Sequence, residues 1–509
     1  MHRQAFGVFA WPPGAVTLIR SSSLSERSAL RPQEISLVVW ILVDSMRAEH
    51  TLDARRKRSI DLDLETLDSI TARRSDLKDA SGVCGPVSTY SSQQLCHRWY
   101  RSVLAFSDHV ARRFIETVPD AETVLDPFVG TGTTCVEAKF LGRNSIGIDA
   151  VPFFVLATRV KTDWSPDAAS LQAVAGEVLE TARKGARWLP QLIAEDATWS
   201  DLTPRAWELW GEYLKLPSVA PVRFLSPRVY VESTLLREAI VELAPFELRS
   251  HLQLCATKSL VRGSRVGFGP EIGFGIPPAD FDTFRFFWKN VEEMACDLRV
   301  LNDVRAPRTR VVLADSRDLS ENLANDSVDL VVTSPPYPVD KDYTRQARIE
   351  LVFLSQVKSL GDLRAIKTNM LRASTRQIYS GDNDSRFVEG LPEIRQIVSR
   401  IQARTSRDSD TSGFAKMYPR LVEEYFGGLY RHLTGLRPKL RRRARCIYVL
   451  GDSRSFKRVY IRTPEIFGRL ARMAGYEVTG MQLLRIRRST TLRKPLREVA
   501  VFLRAHRDS

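Results

Sequence analysis

The run Thr123-Val-Leu-Asp126-Pro-Phe128-Val-Gly130-Thr-Gly132-Thr133-Thr134 constrains this chain more than any other stretch. The apolar residues up to Leu125 read as a short strand. Gly130 and Gly132 allow a sharp turn and leave room for a ligand beside the backbone. Thr133 or Thr134 stands where a helix cap is wanted, and Gly142 where that helix would end. A second strand, Ser145 to Ile148, then stops on Asp149. Such a β-loop-α-β unit can hold an adenosine, with the glycine loop beneath it and the carboxylate on the ribose hydroxyls. Rival readings fit less well. A phosphate-binding P-loop needs a lysine after its last glycine, and Thr133 follows Gly132. A dinucleotide fingerprint needs a third glycine, and Cys135 holds that place. An ordinary strand-to-helix turn does not call for Asp126-Pro-Phe128 ahead of its glycines.

A second stretch narrows the chemistry. Asp329-Leu-Val-Val-Thr-Ser334-Pro335-Pro336-Tyr337 is a buried-type strand ending in a rigid, aromatic-tipped loop. Pro335 and Pro336 lack N–H groups, so the loop offers carbonyl acceptors, and the Ser334 hydroxyl adds another polar group. Tyr337 offers a ring face on which a base can stack. With the glycine loop, the chain resembles the amino-methyltransferases that use S-adenosyl-L-methionine, over most of residues 95–160 and 305–505. The resemblance implies a Rossmann-like α/β sheet with helices on both faces and a largely helical insert. It implies Asp126, Phe128, Gly130, Gly132, Thr133, Thr134, Asp149 and Asp315 around the cofactor, Asp315 following the strand Thr309–Leu313. It implies Ser334, Pro335, Pro336 and Tyr337 as catalytic residues. Ser-Pro-Pro-Tyr is usual among enzymes of restriction-modification type that methylate cytosine N4 in DNA, which is the expected activity. Adenine-N6 methylation of DNA is the near neighbour, and a tRNA guanine-N2 methyltransferase or a non-catalytic DNA-binding relative are further readings. In the family an aromatic and basic segment precedes the glycine motif; here His97-Arg-Trp-Tyr100-Arg101 and Phe106 fit it, with His97 read as structural.

The motifs run in the order glycine loop, Asp149, Asp315, Ser-Pro-Pro-Tyr, whereas many cytosine-N4 enzymes carry the permuted order. That departure leaves two segments competing to read DNA, residues 164–305 and 356–420. In the first, Lys258, Arg262 and Arg265 fall on what reads as a basic, glycine-rich loop ending at Pro270, and they are the expected DNA contacts. Phe284-Arg-Phe-Phe-Trp288-Lys289 adds aromatics with interleaved cations.

The 509 residues carry a formal net charge of +15, which calls for a polyanionic partner. The expected boundaries are an N-terminal extension over 1–94, a catalytic domain over 95–163 and 306–509, and a helical insert over 164–305. The extension holds the basic run Arg55-Arg-Lys-Arg58 and carries no motif. Six scattered cysteines without a Cys-x-x-Cys pair favour reduced thiols over disulfides or a zinc site, so no metal is expected. The longest apolar run, Ile35 to Val43, is too short for a bilayer. No secretion signal is expected either, and the expected location is cytoplasmic.

Overall fold

The computed structural model describes residues 95–505 apart from 103–106, 195, 269–271, 277–280, 303–306, 455 and 489–494. The expected extension over 1–94, its basic run and Phe106 lie outside the described residues.

A seven-stranded sheet organises them: β1 (Thr123–Asp126), β2 (Asn144–Asp149), β5 (Thr309–Leu313), β6 (Val328–Thr333), β7 (Leu440–Gly451), β8 (Tyr476–Arg488) and β9 (Pro495–Ala505). Their order is β5-β2-β1-β6-β7-β9-β8. The pairs β5–β2, β2–β1, β1–β6 and β6–β7 are parallel, with Asp126 level with Gly147 and Asp149 level with Leu313. β9 runs antiparallel between β7 and β8. From β1 the chain steps outward through β2 to β5, then returns to the other side of β1 for β6. The strand order therefore reverses between β1 and β6, and a crevice opens there at the strands' carboxyl ends. This is a mostly parallel, Rossmann-like methyltransferase sheet.

Side-chain alternation along the strands feeds two cores. Val124, Leu330, Val332, Ile447 and Val449 face helix α1 (Asp108–Glu116) through Phe114 and Ile115, and α2 (Thr133–Phe140) through Ala138. Their neighbours Leu125, Val331, Cys446, Tyr448 and Leu450 belong to a second cluster with Tyr425, Phe426 and Leu429 of a 24-residue helix, Gly413–Leu436. Each such fully buried large side chain contributes about 1.5–3 kcal/mol relative to exposure.

Between β2 and β5 the chain is largely helical. Helices α3 (Pro152–Thr162), α4 (Ala168–Gly185), α5 (Pro227–Leu243), α6 (Phe246–Gly263) and α7 (Thr283–Leu301) share one apolar cluster with Trp99 and Tyr100. A hairpin of β3 (Val266–Phe268) and β4 (Ile272–Phe274) follows α6. One sequence expectation is corrected here. Lys258 to Gly263 is the end of α6 and not a loop: a Cβ on Gly263 would stand 2.3 Å from the Phe281 ring, so that glycine serves close packing. Further along, Ser453 and Ile461 form an isolated antiparallel bridge. Among the described residues no helix is long and apolar enough to cross a membrane.

Candidate active site at the strand-order reversal

The crevice between β1 and β6 holds a cleft with an interior volume of about 90 Å³. One wall is the glycine loop. Gly130 and Gly132 have φ of +51° and +87°, a region that side chains disfavour. At Gly132 space is also lacking, since a Cβ would lie 2.9 Å from Thr158 Cγ2 and 3.2 Å from Thr158 Cα. The loop is pinned from below: Thr158 donates to the Gly130 carbonyl at 2.9 Å and Lys161 to the Thr131 carbonyl at 2.6 Å. Gly132 itself is the N-cap residue of α2, without a side-chain cap. The expected threonine cap is therefore corrected. Thr134 instead donates to the Val332 carbonyl at 3.2 Å and ties α2 to β6.

Asp149 ends β2 at the cleft. Its two carboxylate oxygens accept the Gly130 N–H at 3.0 Å and the Val151 N–H at 2.9 Å. A carboxylate has about four lone-pair positions, so acceptor capacity remains. Burial pushes its pKa up to about 6 against those two donors. Asp126, at the end of β1, is nearly inaccessible and accepts from Thr333 at 2.6 Å and from the Phe128 N–H at 3.1 Å. Burial likewise raises it to about 6. It locks β1 to β6 at the reversal point.

Asp126, Phe128, Gly130, Thr133, Asp149, Ser334 and Pro336 all line the cleft. Gly132 and Thr134 support it from behind. Asp315 is not among the lining residues. Its carboxylate is held by the Arg317 guanidinium, at 2.7 Å from Nη2, and Arg317 also pairs with Asp384 at 2.8 Å. Ser316 reaches the cleft instead, donating to the Pro127 carbonyl. The Ser316 carbonyl accepts the Nδ1–H of buried His432 at 2.6 Å, which makes Nε2 the acceptor for the Tyr448 hydroxyl at 2.7 Å. Burial holds His432 neutral, lowering its pKa to about 4.

The Ser-Pro-Pro-Tyr loop leaves β6 on the opposite wall. Tyr425 donates to the Pro336 carbonyl at 2.9 Å, and Ser453 donates to the Pro338 carbonyl at 2.7 Å. The Pro335 carbonyl has no hydrogen-bond donor among the described residues. Ser334 donates to the Val449 carbonyl at 3.2 Å and lies 3.2 Å from the Tyr337 hydroxyl. Tyr337 itself turns away from the cleft. Its hydroxyl donates to Glu498 at 3.0 Å, and its ring sits where a Cβ on Gly451 would come within 2.7 Å. The Arg487 guanidinium lies 5.5 Å from the ring centroid.

Several contributors carry no sequence motif. Tyr343, Asn369, Met370 and Leu371 complete the cleft lining. Asp297, on α7, accepts from the Trp99 indole at 2.7 Å, from the Cys96 N–H at 3.5 Å and from the Arg98 guanidinium, so it anchors the segment that leads into the cleft. Tyr100 donates to the buried Glu350 at 2.5 Å. Buried His97 lies 2.7 Å from Glu137, a structural contact. A lone acid within a helical pattern gives no signal of such a role.

The expected DNA contacts fare unequally. Lys258 donates to the Arg98 carbonyl at 2.8 Å and pairs with Glu293 at 3.1 Å, and Arg265 donates to the Asp196 carbonyl at 3.0 Å. Both are engaged within the fold. Arg262 is exposed.

Residues 101–159, from the approach segment through α3, match a family described as DNA methylase, of the N6/N4 type. Among curated proteins, a type II methyltransferase, M.BsoBI of Geobacillus stearothermophilus, is 40% identical over 74 residues, 14% of this chain and 14% of the relative. M.MjaII of Methanocaldococcus jannaschii is 50% identical over 40 residues, 8% of each chain. M2.DpnII of Streptococcus pneumoniae is 42% identical over 52 residues, 10% of this chain and 19% of the relative. Each match thus spans under a fifth of the relative's length. The chain's glycine-loop segment is thus similar to that of N6/N4-type DNA methylases, and it is set in a mostly parallel, Rossmann-like sheet.

Proposed function

We propose that the protein transfers the methyl group of S-adenosyl-L-methionine to an exocyclic amine of a base in DNA, the N4 amine of cytosine, with adenine N6 as the neighbouring possibility. One observation carries this reading: the Gly130–Asp149 loop and the Ser334–Pro336 loop form opposite walls of one cleft at the strand-order reversal. The cleft suits the cofactor. Its lining mixes Phe128, Val151, Phe154 and Met370 with polar groups, and Asp149 keeps spare acceptor capacity. Asp149 would take the ribose hydroxyls, and Phe128 and Ser316 would flank the bound adenosine.

Bound there, the cofactor supplies an electrophilic methyl on a sulfonium that departs as a neutral thioether, so no covalent nucleophile is required of the protein. A base amine is a weak nucleophile because its lone pair is delocalised into the ring. The Pro335 carbonyl would accept an amine hydrogen and favour the pyramidal nitrogen, and its dipole would stabilise positive charge developing there. Ser334 would orient the base. A duplex base must first be turned out of the helix to reach the cleft, and Tyr337, packed at Gly451 and bonded to Glu498, would hold the loop in place from behind. Positioning supplies most of the acceleration in such a scheme.

Incubating the protein with methyl-labelled cofactor and either duplex DNA or tRNA tests the reading. Label should enter DNA. Label in tRNA alone would reassign the substrate, and label in neither would remove the activity.

A further inference from the structure

The cleft does not end at its lining. It shares Ser102 and Phe154 with a second cavity, which in turn shares Val261, Gln346 and Glu350 with a third. The three form a continuous trough. Its walls come from segments far apart in sequence: α6 and the residues ahead of it on one side, residues 342–376 on the other.

The charges along this trough are unbalanced. Beyond the cleft itself its acids are already engaged: Asp342 pairs with Lys367 at 2.7 Å, and Glu350 is buried against the Tyr100 hydroxyl. Arg223, Arg262 and Arg376 line it, are exposed, and have no carboxylate partner among the described residues. Half-buried Arg348 adds a further charge, donating among the described residues to the Thr344 and Val219 carbonyls. Two of the exposed arginines are held by aromatic rings. Arg223 stacks over Phe224 and Phe274, 5.0 and 5.5 Å from their centroids, and Arg376 over Phe414 at 5.2 Å. Stacking occupies the flat face of a guanidinium and leaves its N–H edge free, which is the edge that grips a phosphate in bidentate fashion.

We infer that this trough is the track of the DNA backbone, with Arg223, Arg262 and Arg376 as phosphate contacts on its two walls. The inference rests on reading the cleft as a DNA-methylating site, and it deepens that reading. Residues 164–305 and 356–420 then do not compete for the DNA; each supplies one wall. Lys258 and Arg265, spent on internal partners, are left out of the contact set.

The test uses the full chain and a fluorescent duplex, with binding measured from about 50 to 200 mM salt. Replacing Arg223, Arg262 and Arg376 by alanine should flatten the slope of log affinity against log salt by about 0.9 per lost contact, about 2.7 in all. Arg442→Ala with Arg443→Ala is the control. These exposed residues sit near the amino end of β7, away from the carboxyl ends where the cleft lies, and the pair should leave the slope unchanged. Calorimetry with S-adenosyl-L-methionine should give wild-type affinity for both variants, showing that they are folded. A wild-type slope in the triple variant, or an equal drop in the control, overturns the trough while leaving methylation of DNA intact. A wild-type protein that binds no DNA at any salt removes the functional reading and the trough with it.

Discussion

Asp149→Ala is the perturbation whose consequence follows most directly from the geometry. In the wild type this carboxylate accepts two backbone N–H groups, from Gly130 and Val151, and keeps the rest of its acceptor capacity for the cleft. Truncation removes the acceptor proposed for the cofactor's hydroxyls and lets water reach the Gly130 N–H. Loss of a charged acceptor costs about 1–3 kcal/mol, roughly a 5- to 150-fold rise in Kd. Isothermal calorimetry with S-adenosyl-L-methionine measures it, with a thermal melt to confirm the fold. The wild type carries its own control in pH. Burial pushes Asp149 up to about 6, and hydroxyl donors favour its charged form, so affinity should be level above pH 7 and fall as pH drops through 6. The stability linkage has the opposite direction: a raised carboxylate pKa contributes stability that is present at low pH and lost as pH rises through about 6. Weaker binding in acid therefore cannot be put down to this group destabilising the fold. In Asp149→Ala the pH dependence should shrink to whatever Asp126 retains. Unchanged affinity in a folded Asp149→Ala protein would refute the assignment of this carboxylate to the cofactor.

Three further outcomes are expected. Gly132→Ala forces a side chain into φ of +87° and against Thr158, and urea unfolding should show a loss of at least about 1–2 kcal/mol. Asp297→Ala strips the buried acceptor from Arg98 and Trp99, and the same assay should show a loss of about 3–5 kcal/mol; a smaller cost would mean the approach segment is held by its apolar contacts alone. Tyr337→Ala removes the ring packed at Gly451 behind the Ser-Pro-Pro-Tyr loop, and should keep cofactor affinity but lose up to about a hundredfold in kcat/KM as the loop shifts. Tyr337→Phe, which loses only the hydroxyl bonded to Glu498, should retain most turnover, and wild-type rates in the alanine variant would reduce the loop to a turn.

What the sequence made legible was local. The glycine loop, the acidic end of β2 and the Ser-Pro-Pro-Tyr loop each declare themselves within a dozen residues, because turn geometry and strand ends are written in contiguous chemistry. Their convergence followed from the fold class. What escaped was set by partners distant in the chain. Asp315 reads as a cleft acid until Arg317 is seen to hold it, and Arg317 is in turn fixed by Asp384, 67 residues from it. Gly263 reads as a loop glycine, whereas it ends a helix packed against Phe281. Asp297 and Glu350 show nothing in sequence, since burial and a tyrosine or tryptophan partner from elsewhere make them what they are.

The central claim is methyl transfer to a base amine in DNA, and the most direct measurement is the chemical identity of the product. Duplex DNA treated with the protein and S-adenosyl-L-methionine is digested to nucleosides and resolved by mass spectrometry against standards. N4-methyldeoxycytidine is the expected product, with N6-methyldeoxyadenosine placing the same cleft on adenine. Methylation at a ring carbon, or DNA that remains unmodified by a protein shown to bind the cofactor, would contradict the claim.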